Sequence, residues 1–151
     1  GTDLHIEPLF RENLHIVAPH DHRLCSKMLL QKADLVSAQF PSLDPRHHFH
    51  RQANKICDEL SAELLRDYDG TSLDSLRQMV GSGIGLALLP DLYLRSEVGG
   101  EKMATRLSIA DWSASRSIAA VWRNGVASAE TYHIIAEAIA TQARLLMNKA
   151  Q

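Results

Sequence analysis

Apolar and polar positions alternate in two runs near the start of the chain, Leu4 to Phe10 and Leu14 to Ala18. A period of two predicts strands, and Pro19 stops the second. His20 to Gln31 is polar and mixed. Val36 to Phe40 reads as another short strand, and Pro41 and Pro45 bracket a loop. From Arg46 to about Leu65 the period changes: Phe49, Ala53, Ile56, Leu60 and Leu64 recur at spacings of 4, 3, 4 and 4. That single stripe predicts an amphipathic helix.

A brief extended segment, Leu65 to Tyr68, leads into Asp69-Gly70-Thr71-Ser72, a turn and helix start. Thr71 with Asp74 three residues later resembles a capping box. Leu73, Leu76, Met79 and Val80 form the expected buried side of that helix, and Gly81, Gly83 and Gly85 end it. Ile84 to Leu89 is a continuous apolar run, which predicts a strand buried on both faces, as in parallel sheets. Further strands are expected near Met103 to Ile109 and at Ser117 to Trp122, closed by Asn124-Gly125. A long helix follows from about Ser128 to Asn148, with Tyr132, Ile135, Ile139 and Leu146 on one face. Strands alternating with helices predict an α/β fold with largely parallel sheets.

Composition narrows the possible roles. The 151 residues are 45% apolar, enough for one domain or two small lobes. Lys and Arg number 16 against 18 Asp and Glu, a net charge of −2. A domain that grips nucleic acid unaided is usually basic, so direct DNA or RNA binding by this chain is not expected. No apolar run reaches membrane-spanning length and no secretory signal is visible, so a cytoplasmic protein is expected. The first residue is Gly1, which suggests a piece of something longer. Cys25 and Cys57 are too few for a disulfide scaffold. Eight histidines are the compositional oddity.

Several segments invite chemical readings. Gly81-Ser82-Gly83-Ile84-Gly85 follows a helix and precedes a strand, the reverse of a dinucleotide-binding loop, so capping and a tight turn are expected there. The helix start at Thr71 and Ser72 offers N–H groups and hydroxyls to an anion, with plain capping as the alternative. His20, His22 and Cys25 form one metal-like cluster, and His47, His48, His50 and Cys57 another. His47, His50, Asn54 and Cys57 would share a helical face. Seven residues of helix rise about 10 Å, too far for His50 and Cys57 to reach one zinc ion. A solvated polar flank is therefore expected, with no metal and no cofactor. Cys57, beside Ile56, is expected to be partly buried, and its redox activity stays open. No nucleophile elbow or zinc-protease motif is present, so an enzyme is not expected.

The stretch Gly70-Thr71-Ser72-Leu73-Asp74-Ser75-Leu76-Arg77-Gln78-Met79-Val80-Gly81-Ser82-Gly83-Ile84-Gly85-Leu86-Ala87-Leu88-Leu89-Pro90 resembles the helix-to-strand signature of LysR-type transcriptional regulators. The segments Glu7 to His22 and Ile118 to Arg123 resemble the same family's effector domain. This resemblance implies a two-lobed α/β fold like that of periplasmic binding proteins (type 2), hinged around a small-molecule pocket. Lobe II would run from about 20 to 115, and 1–19 with 116–151 would be what remains of an incomplete lobe I. It further implies a homodimer or homotetramer, RNA polymerase contact, and promoter DNA bound through a winged helix-turn-helix absent from this chain. Ser42, His48, Thr71 and Ser72 become the expected effector-binding residues.

Leu43 to Cys57 is most similar to the peroxide-responsive OxyR-like subgroup, which implies an oxidant or small anionic effector. Cys57 falls at that subgroup's second cysteine position, and His48 stands at the first. Imidazole cannot form a sulfenic acid, so a thiol switch would need Cys25 with Cys57. The alternatives are one lobe of a solute-binding transport protein and a metal-binding sensor built on the His and Cys clusters.

Overall fold

The computed structural model describes residues 3–96 and 104–149. The chain divides into two compact units, one drawn from 1–13 with 115–151 and the other from 14–114. Strand β1 (Leu4–Ala18) belongs to both, its first part to one unit and its end to the other. The sequence predicts two strands here, broken by Arg11-Glu12-Asn13, yet the strand is continuous. Its polar middle is satisfied rather than looped out. Glu12, 2% exposed, accepts from Arg116 Nε at 3.1 Å, and Arg11 Nε donates to Ser115 Oγ at 2.8 Å.

In the larger unit the end of β1 lies between β4 (Ala87–Pro90) and β5 (Thr105–Arg106). Leu14 faces Pro90, Val17 faces Ala87 and Ala18 faces Thr105, and both ladders are antiparallel. The apolar run before Pro90 is thus buried as expected, but its partner in the ladder runs the opposite way. The expected strand from Met103 shortens to two residues, and Met103 itself lies outside the described residues.

The second sheet is a parallel pair, β2 (Gln39–Leu43) with β3 (Glu63–Gly70). Strand β2 starts later than the sequence predicts and takes in Pro41, Ser42 and Leu43, which were expected in a loop. Ser37 at φ 63° turns the chain first. Pro41 has no N–H to donate, and it falls where the ladder register shifts, between Phe40 and Ser42. Helix α1 (His48–Leu60) buries Phe49, Ala53, Ile56, Cys57 and Leu60. It stops short of Leu65 because Ser61 adopts the left-handed conformation and Ala62 N–H returns to Cys57 O at 2.8 Å. Leu64 therefore sits in β3, and its helical spacing from Leu60 is a coincidence of sequence.

Helix α2 (Leu73–Gly81) follows β3 and buries Leu76 and Val80. Gly83 and Gly85 then turn the chain into β4 with φ of 88° and 67°. Gly85 is required twice over: its φ suits glycine, and a Cβ there would overlap the carbonyl oxygen of Gln39. Helix α3 (Asp91–Arg95) begins directly after β4. Asp91, 7% exposed, accepts from Arg95 Nε at 2.6 Å and lies 2.9 Å from His15 Nε2, with Arg106 NH1 at 3.8 Å. One carboxylate thus ties β1, α3 and β5 together.

In the smaller unit β6 (Ala114–Arg123) pairs with β1, and α4 (Ala129–Met147) follows. The helix bounds match expectation to within a residue. Its buried side is Ala136, Ala140 and Ala143, whereas Ile135 of the predicted apolar face is 50% exposed. Among the described residues, no helix is long and apolar enough to cross a membrane.

Two consequences can be measured. Gly85→Ala is expected to lose roughly 2 kcal/mol or more of stability, read from urea denaturation, because strain and overlap add. Burial pushes the Asp91 carboxyl up, but the Arg95 and His15 hydrogen bonds outweigh it and leave the group below its ordinary range. Its charged form is thus favoured by folding, so its contribution is complete near neutral pH and fades as pH falls below about 4. Asp91→Asn is expected to cost about 3 kcal/mol at pH 7, with the two denaturation midpoints converging in acid.

Candidate functional site

Strands β2 and β3 run parallel, so the helices that follow them both start at the same edge of the pair. Leu43 faces Gly70 at that edge, and Asp44 N–H donates to Gly70 O at 3.1 Å. Thr71 and Ser72 come directly after Gly70, and His48 opens α1 five residues after Leu43. In α/β sheets this carboxyl edge is where ligands bind. The structure thus places Ser42, His48, Thr71 and Ser72 along one edge.

Each contributes differently. Thr71, Ser72 and His48 are exposed, whereas Ser42 is 1% exposed. Among the described residues its Oγ has no hydrogen-bond partner. A buried hydroxyl without a partner costs free energy, which makes it a place for a ligand atom. The cap of α2 is Ser72, not Thr71 with Asp74 as the sequence suggests. Ser72 Oγ accepts from Ser75 N–H at 3.2 Å, and Ser75 Oγ accepts from Ser72 N–H at 3.0 Å. Serine at both positions forms the box, and Gly70 makes room for it, since a Cβ there would lie 2.7 Å from Ser75 Oγ. Asp74 instead accepts from Arg77 and Tyr93, which hold its carboxyl below the usual range. Helix α1 has no side-chain cap at His47.

The histidines and cysteines take separate places. His22 caps a short 3₁₀ turn, its Nδ1 accepting from Leu24 N–H at 3.1 Å; burial, and then the charge of Arg23, lower its pKa. His20 Nδ1 lies 2.6 Å from Thr105 Oγ1. His50, Asn54 and Cys57 line a cleft of about 450 Å³ with Asp58 and Arg66. Cys57 is buried, and burial, with the charge of Asp58, pushes its thiol up to about 12. Cys25 is half-buried and its Sγ lies 3.3 Å from Pro19 O. Among the described residues, neither predicted histidine cluster contributes to a group of three metal-ligand side chains. The group that does form, His5 with Glu7 and His133, was missed by sequence reasoning because its members are distant in the chain.

Comparison with known proteins returns one family for nearly the whole chain. The LysR substrate binding domain matches residues 1–143. The chain is similar to the DNA-binding transcriptional dual regulator OxyR of Escherichia coli, 31% identical over 132 residues, covering 87% of this chain and 43% of that protein. Its fold is that of the reduced OxyR regulatory domain from Pseudomonas aeruginosa, with a TM-score of 0.77 and 23% identity, covering 93% of this chain and 67% of the other. The CcmR regulatory domain of Synechocystis PCC6803, solved in complex with 2-PG, gives a TM-score of 0.75 and 19% identity, covering 91% and 67%. This chain spans about half the length of the curated relatives it matches. These structures share the periplasmic-binding-protein-like α/β architecture, here covering part of two lobes.

The cysteine geometry is open to direct measurement. With its thiol at about 12, Cys57 holds only about 10⁻⁴ of its population as thiolate at pH 8. Iodoacetamide is expected to label Cys25 well before Cys57 in the folded chain, and Cys57 labelling should rise with pH. Peptide mass mapping over a time course checks both.

Proposed function

Because this chain belongs to the LysR substrate-binding domain family, whose members are transcription regulators and not enzymes, we propose that it is the effector-sensing and oligomerising part of a bacterial LysR-type regulator. The observation that carries this reading is Ser42, whose buried hydroxyl has no partner among the described residues, beside the exposed N-termini of α1 and α2. Helix N-termini favour anions, so the effector class is a small carboxylate or phosphate held by Ser42, Thr71, Ser72 and His48. Binding of 2-PG to the similarly folded CcmR domain supports that class. Promoter DNA would be reached through a separate domain, as the net charge of −2 suggests. The working form would be a cytoplasmic homodimer or homotetramer in contact with RNA polymerase. Effector binding would act by favouring one quaternary arrangement over another.

An oxidant-responsive version of the same role draws support from likeness to hydrogen peroxide-inducible gene activators. Cys57 is buried and held protonated, so the attacking sulfur in that version is that of the half-buried Cys25.

A panel of small carboxylates and phosphates, including 2-PG, titrated against the chain and followed by amide chemical shifts tests the first reading. Shifts are expected at Ser42, Thr71 and Ser72. Ser42→Ala should weaken the binding of whichever probe shifts them by roughly 10- to 100-fold, the loss of one hydrogen bond to a charged group. The same variant should not lower stability, since no hydrogen bond among the described residues is lost and an unpaired buried hydroxyl is removed. Saturable shifts confined to other residues would overturn the assignment. Peroxide treatment separates the second reading: a sulfenic acid or disulfide at Cys25 supports it, and two free thiols by mass spectrometry rule it out.

A further inference from the structure

His5 and Glu7 stand two residues apart on β1, so both side chains leave the same face of the strand. His133 lies in the second turn of α4. The fold brings the three together: one ligand atom from each lies within 4.8 Å of the others. His5 Nε2 is 2.9 Å from Glu7 Oε2, and the rings of His5 and His133 meet edge to face with centroids 5.0 Å apart. Trp122 of β6 packs on both, 4.6 Å from His5 and 4.9 Å from His133. Every one of these residues belongs to the smaller unit.

We propose that His5, Glu7 and His133 form a binding site for a divalent transition-metal ion of the Zn²⁺ type. Two imidazoles and one carboxylate are a donor set suited to Zn²⁺, Ni²⁺, Co²⁺ or Cu²⁺, whereas Ca²⁺ and Mg²⁺ take mainly oxygen ligands. An ion bound at about 2.0–2.1 Å sets its ligand atoms roughly 3–3.5 Å apart. His5 Nε2 and Glu7 Oε2, hydrogen-bonded at 2.9 Å, would spread by a few tenths of an ångström to admit the ion, and the exposed ring of His133 would close the remainder by rotating. Glu7 and His133 line a cleft of about 360 Å³ together with Glu137 and Arg144, into which a fourth position would open. Water has room there to complete a tetrahedron. The ion would join the start of β1 to α4 and so stabilise the unit that holds both.

The test uses the chain without a histidine tag, stripped with a chelator and titrated with ZnCl₂ by calorimetry. Trp112→Phe leaves Trp122 as the sole tryptophan, so Cu²⁺ or Ni²⁺ at the site should quench its fluorescence. One equivalent of Zn²⁺ is expected to bind and to raise the melting temperature. His133→Ala, at an exposed position, should weaken binding by more than about 10-fold and abolish the quench. His47→Ala, at an exposed position outside the site, should change neither. Absence of saturable Zn²⁺ binding, or binding that survives His133→Ala, overturns the site.

Discussion

Two parallel strands cannot be joined by a tight turn, and in this chain α1 makes the crossover between β2 and β3. That constraint decides where function can sit. It puts the start of α1 and the start of α2 at the same edge of the pair, each after a strand end. The pairing of Leu43 with Gly70 fixes the height at which both helices begin. Backbone N–H groups and the positive ends of two helix dipoles then face one region, whatever the side chains are. The side chains refine this. Ser72 and Ser75 tie down the first turn of α2, and Ser42 leaves a buried hydroxyl without a partner among the described residues.

Charged groups elsewhere do structural service. Asp91 gathers His15, Arg95 and Arg106 from three elements, and Glu12 with Arg116 lets β1 stay extended through a polar stretch. Three of the eight histidines are absorbed in the same way. His15 pairs with a buried carboxylate, His22 caps a turn and His20 meets Thr105. His5 and His133 differ because they face each other and a carboxylate, with a tryptophan against both rings.

The cysteines show how burial governs chemistry. A thiol at the apolar side of α1 is stabilised in its protonated form, since the packing that buries it removes the water a thiolate needs. Burial thus disfavours Cys57 as the attacking thiol of a peroxide switch. An effector that binds without oxidation fits the same fold and the same edge.

The sequence by itself determined the element types over most of the chain, because periods of two and 3.6 mark strands and helices locally. It settled α4 to within a residue, and it placed a helix start at Thr71-Ser72 and buried the run before Pro90. Thr71 and Ser72 at the β2–β3 edge were legible as a position, since they follow a strand end in a stretch that resembles a family signature, whereas Ser42 was expected in a loop and lies in β2. Where the sequence misled, a long-range partner decided the outcome. Glu12 is buried because Arg116 reaches it, and β4 pairs antiparallel because β1 lies beside it. Ser72 rather than Thr71 caps α2 through Ser75, and on α4 alanines are buried while Ile135 and Ile139 stay exposed. The grouping of His5 and Glu7 with His133 belongs to the tertiary structure alone. Only the packing of a strand against a helix far along the chain brings those side chains within reach of one ion.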